Sequence, residues 1–131
     1  MVNLLLRVSV LFGLCGMAMG IAMGIKQDFS LAPAHAHVNL LGFVTLFLSG
    51  LYYRVVPAAA ASMIARVQAV LAVAGAVIFP VGIASVLLGD HEKFLPIVIG
   101  GALTVLAAMA LLVLIVFRTN NATSASTNEL R

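Results

Sequence analysis

The feature that most narrows what this chain can fold into is a set of four long apolar runs, about Leu4–Ile25, Pro33–Val56, Ala65–Leu88 and Phe94–Phe117. Each is near or above the ~20 residues a helix needs to cross ~30 Å of hydrocarbon. In lipid, backbone N–H and C=O groups find no water, so a helix, which pairs them within its own segment, is the form these runs can take. The connections around Lys26–Ala32, Pro57–Ile64 and Gly89–Lys93 are short, and short connections join antiparallel neighbours. The expectation is an all-α integral membrane protein: an antiparallel four-transmembrane-helix bundle over residues 1–117, with helices at about 4–25, 33–56, 65–88 and 94–117. The remainder, 118–131, is polar and poor in bulky apolar residues, and reads as a disordered tail.

Composition points the same way. The 131 residues are 63% hydrophobic and 8% charged, against the ~25% charged residues of an average globular domain. If the four spans alternate, Arg7, Arg54, Arg66, Arg118 and Arg131 share one side, and Lys26 and Lys93 the other. The positive-inside rule then puts both termini in the cytoplasm, and the first and third loops, in a bacterium, in the periplasm. Asp28, Asp90, Glu92 and all three histidines, His35, His37 and His91, fall on that outer side. The net charge of +3 sits at helix ends, where long cations snorkel to headgroups, which argues against a nucleic-acid partner and for membrane lipid. Arg7 before an apolar run resembles a secretory signal, but the segment reads as a retained first span of an inner-membrane protein. The single cysteine, Cys15, lies inside a span and forms no internal disulfide.

Within the first run Gly16, Gly20 and Gly24 recur every four residues, just after Gly13. Such spacing lets helix backbones approach closely, either inside the bundle or in a homo-oligomer or larger membrane complex. Met17, Met19 and Met23 beside them could supply thioether sulfur to a soft metal or heme iron, or simply fill gaps. Pro80 should kink the third helix. Pro96 suits the first turn of the fourth, where Gly100, Gly101, Thr104, Ala107 and Ala108 form another small-residue face.

The segment "APAHAHVNLLGF", Ala32 to Phe43, puts two imidazoles and an amide at the head of the second span. Pro33 suits a first helical turn, so His35 and His37 follow within or just beyond it. At about 100° per residue, His35 shares a stripe with Asn39, Gly42, Leu46, Ser49 and Tyr53, which should face the bundle interior. His37 points about 160° away, along Leu41, Val44, Leu48 and Leu51, toward an apolar ligand, a lipid tail or another protomer. Two such rings in regular helix cannot easily share one ion. Ionisable groups in a span are functional candidates by default, although interfacial histidines can also do no more than hydrogen-bond loop carbonyls.

The stretch His35 to Pro57, "HAHVNLLGFVTLFLSGLYYRVVP", resembles the second transmembrane helix of the heme-copper oxidase catalytic subunit, especially the C-type oxidases and their nitric-oxide reductase relatives. The pieces that carry the resemblance are His37-x-Asn39, Leu40-Leu41, Gly42, Gly50, Tyr52-Tyr53 and Val55-Val56-Pro57. In that superfamily this helix opens with a histidine that ligates the low-spin heme near the outer face. The His-x-Asn spacing gives that place to His37; the distance to Tyr53 and Pro57 gives it to His35. A full catalytic subunit has many more helices and a histidine cluster for copper. The resemblance therefore implies a small stand-alone relative, or a subunit of a respiratory or denitrification complex.

The leading expectation is a membrane-bound b-type heme protein working in electron transfer or diatomic gas binding, with His37 or His35 on iron and Asn39 beside them. One alternative is a periplasm-facing copper or zinc site built from His35 or His37, His91 and a carboxylate of "GDHEK". Another is a scaffold subunit with no chemistry. No G-x-S-x-G, phosphate loop or H-E-x-x-H is present, so the chain is not expected to be an enzyme on its own.

Overall fold

The computed structural model describes the backbone of residues 1–128 and the side chains of 1–119. Among the described residues the regular elements are all helical: α1 (Val2–Lys26), α2 (Ala32–His37), a π-helical segment (Val38–Thr45), α3 (Leu46–Val55), α4 (Pro57–Ala60), α5 (Met63–Leu88) and α6 (His91–Asn128). Four stretches are long and apolar enough to cross a membrane: Val2–Lys26, Ala32–Val55, Met63–Leu88 and His91–Thr119. They match the four apolar runs to within a turn. The helical backbone of α6 continues into the polar segment for which disorder is expected; residues 129–131 of that tail lie outside the described residues.

Local chemistry sets the breaks. The first span stops where Gln27 adopts the left-handed conformation, φ 52° and ψ 30°, and returns its N–H to Met23 O. The Asp28 carboxylate then accepts Ser30 N–H at 3.0 Å, an Asx turn that leads into Pro33 in the first turn of α2. Ser62 caps α5 by accepting Ala65 N–H at 3.1 Å. Asp90 caps α6 by accepting from Glu92 N at 3.0 Å and Lys93 N at 3.3 Å.

Helix α1 meets the second span in reverse chain order. Gly20 lies against His35, Gly16 against Asn39, Gly13 against Phe43, and Leu6 against Gly50. Arg54 Nη2 donates to Asn3 Oδ1 at 2.6 Å at the far end. Helices α5 and α6 pair in the same sense, through Gly75 on Val105, Gly82 on Val98 and Gly101 on Phe79. Of the small-residue face on α6, Gly101 and Ala108 turn inward, whereas Gly100 has open space before it. The core is narrow and small-sided: Leu5, Leu46, Tyr53 and the α5 stripe Ala65, Ala69, Ala72 and Ala76. Large apolar side chains such as Leu14, Ile21, Val70 and Leu106, all more than 60% exposed, point outward, as they do where the surrounding solvent is hydrocarbon.

Candidate functional site

The second span threads between α1 and α5, and its histidines lie where it changes helical type. Ala34, Val38, Gly42 and Leu46 are buried at four-residue intervals, a spacing that the wide turns of the π segment place on one side. Thr45 Oγ1 reinforces those turns by donating to Leu40 O, five residues back, at 2.8 Å. Long π stretches are rare, and π geometry concentrates at functional sites. Of the stripe expected to face inward, Gly42, Leu46, Ser49 and Tyr53 are buried, and His35 and Asn39 are half-buried.

His35 is held in the seam with α1. Asn39 Nδ2 donates to His35 O at 3.0 Å and lies 3.3 Å from His35 Nδ1 and 3.5 Å from Nε2. The Cε1 edge of the ring faces Gly20, where an added methyl would stand 3.1 Å away. Gly13, Gly16 and Gly20 are thus all taken up by the second span, while Gly24 has nothing within 4 Å.

His37 has different neighbours. Its Nδ1 lies 2.7 Å from Pro33 O. A carbonyl oxygen only accepts, so Nδ1 carries the proton, and in the neutral ring the lone pair is left on Nε2. The ring stands edge-on to Phe79 of α5, with centroids 4.7 Å apart and planes at 74°. Phe79 precedes the buried Pro80 and is backed by Gly101 of α6. The half-buried ring is fixed by its own helix and by α5.

His91 is exposed at the start of α6, and "GDHEK" folds as the cap of that helix, with the Asp90 carboxylate engaged by backbone N–H groups. Among the described residues no three His, Cys, Asp or Glu side chains gather into a metal-holding group. Met19 and Met23 line a crevice of about 150 Å³ with Lys26, Asp28 and Leu31, and neither span histidine is in its lining. At this end the N–H and hydroxyl of Ser30, and then Lys26, hold the Asp28 carboxyl below its ordinary range.

The opposite end carries a buried polar pair that the sequence reading missed. Tyr53 O–H donates to Gln68 Oε1 at 2.9 Å, and Gln68 is 1% exposed. Ser49 Oγ and Tyr52 O–H are also buried there, without hydrogen-bond partners among the described residues. The available signal was the position of Gln68, an amide on the α5 face marked out by Ala65, Ala69, Ala72 and Ala76. No protein-family model, curated protein or solved structure matches the chain.

Proposed function

We propose that the chain is a membrane-bound b-type heme protein with His37 as an axial ligand, serving electron transfer or diatomic gas binding. The observation that carries this reading is the 2.7 Å contact between His37 Nδ1 and Pro33 O. A backbone carbonyl on one ring nitrogen orients a metal-ligating histidine, fixes its tautomer and makes the other nitrogen more basic. Phe79 limits rotation of the ring, and Asn39 keeps His35 in the seam. When bound, the heme supplies one-electron chemistry, with a potential set by its axial ligands and apolar surroundings. This choice follows the His-x-Asn spacing of the heme-copper oxidase resemblance.

The arginine distribution and the reverse-order contacts support an antiparallel bundle with both termini cytoplasmic, in a bacterial inner membrane. On this reading His37 lies near the periplasmic face, where a larger respiratory or denitrification complex or a second copy of the chain would meet it. With Gly16 and Gly20 already engaged by the second span, Gly24 is the member of that glycine row still open to such a partner.

The test is an absorption spectrum of the detergent-extracted protein, oxidised and reduced. A b-type Soret and α-band should be present in the native chain, lost in His37→Ala and kept in His35→Ala. Retention of the bands in His37→Ala and their loss in His35→Ala would transfer the ligand role to His35. Colourless protein carrying copper or zinc would replace the heme with a metal site at His37 and His91, and protein with neither would leave a scaffold.

A further inference from the structure

At the arginine end, α1 and α5 diverge enough to leave a groove of about 440 Å³, with Leu4, Leu5, Val70, Val73 and Ala74 on its walls and Arg66 at its edge. Leu4 and Val70 are 59% and 68% exposed, so the walls are open to an apolar chain. Arg66 lies in the first turn of α5, where the span meets the headgroup layer, and is exposed with no hydrogen bond or ion pair among the described residues. The described acids, Asp28, Asp90 and Glu92, all lie at the histidine end. Arg7 and Arg54 add positive charge at this end. An apolar slot whose mouth carries a guanidinium unpaired among the described residues is complementary to an acyl chain attached to an anionic group.

We propose that this groove binds an anionic phospholipid, one acyl chain lying along Leu4, Val70 and Val73 and the phosphodiester held by Arg66. The planar guanidinium pairs two N–H groups with two phosphate oxygens, which an ammonium cannot do. The attraction at a membrane surface is about 1 kcal/mol per basic side chain, about five-fold in affinity. Chain contacts add an apolar contribution that is independent of headgroup charge.

The experiment is native mass spectrometry of the full chain released from detergent with equal amounts of phosphatidylglycerol and phosphatidylcholine of matched acyl chains. Wild type should retain the anionic lipid preferentially, and Arg66→Gln should cut that preference about five-fold, while Arg66→Lys keeps part of it. Val70→Trp, at an outward position, fills the groove without entering the core and should lower retention of both lipids. Equal retention of the two lipids by wild type, or an unchanged preference in Arg66→Gln, would overturn the proposal. So would Val70→Trp binding both lipids as wild type does, or glycerol phosphate without chains binding as tightly as the lipid. The masses are read with or without heme, so this outcome and that of the spectroscopic test are independent.

Discussion

Replacing Gly16 with alanine probes the packing that holds the histidine segment. A methyl at Gly16 would stand 2.6 Å from Asn39 Cγ, inside any tolerable contact, so the Asn39 amide must turn away. In turning it gives up its 3.0 Å bond to His35 O. A side-chain hydrogen bond in a membrane bundle contributes ~0.6 kcal/mol on average and up to ~1.7, and forcing extra bulk into a packed interface costs ~1–3 kcal/mol. Against these, alanine relieves the helix of the ~1 kcal/mol that glycine costs it. The net expectation is a loss of ~1–2 kcal/mol from Gly16→Ala. Gly24, with nothing within 4 Å, should instead gain up to ~1 kcal/mol on the same change. The decisive comparison is a double-mutant cycle. With Asn39→Ala the obstructing amide is absent, so Gly16→Ala should become neutral or stabilising by up to ~1 kcal/mol, a coupling of ~1–3 kcal/mol. Reversible unfolding of the four proteins in bicelles measures it. Coupling below ~0.5 kcal/mol, or equal losses at Gly16 and Gly24, would show that the glycine row does not make room for Asn39.

Gly101→Ala differs because the added methyl would meet Phe79 backbone, 2.7 Å from Cα and 2.8 Å from N. No side-chain rotation relieves that, so the loss in the same unfolding assay should approach ~3 kcal/mol, and any heme band should shift as Phe79 moves under His37. Tyr53→Phe leaves the Gln68 carbonyl buried without its donor and should cost ~1–2 kcal/mol. Adding Gln68→Leu should recover part of it, and purely additive losses would count against the pair. Asp28 is lowered from its ordinary 3.8 by hydrogen bonds from Ser30, so its contribution to stability is present above that value and lost as pH falls through the lower folded one. Carboxyl NMR should give a midpoint below 3.8 in the native protein; a midpoint at or above it contradicts the Asx turn.

The spans and their breaks were legible because each depends on local signals. Run length gave the four crossings, Pro33 the start of α2, and the hydrophobic wheel the inward face at Gly42, Leu46, Ser49 and Tyr53. What was hidden depends on other helices. Nothing in the row Gly13, Gly16 and Gly20 says whether the partner is a second copy or the next span; only the reverse-order contacts with Phe43, Asn39 and His35 decide that. Gln68 likewise is one polar residue in an apolar run until Tyr53 is brought opposite it. The π segment was hidden as well, since an ideal wheel assumes the regular turn that Val38–Thr45 abandons.

The placement of the second span gives two histidines so close in sequence different neighbours. Two residues apart on a helix, the rings point about 160° from each other, and the span runs between α1 and α5. One ring must therefore enter one interface and the second ring the other. The α1 interface is a glycine seam, where a methyl added at Gly20 would stand 3.1 Å from His35 Cε1, and both nitrogens of that ring lie beside the Asn39 amide. The α5 interface is built on the larger Phe79, which meets His37 edge-on at 4.7 Å; both histidine rings are half-buried. Glycine on one facing helix and a large aromatic residue on the other thus give the two imidazoles different packing, and under the proposed function His37 is the one that takes the heme. Phe79→Gly, by emptying that side, should let the His37 ring rotate off Pro33 O, and broaden or abolish a heme spectrum even though His37 itself is unchanged.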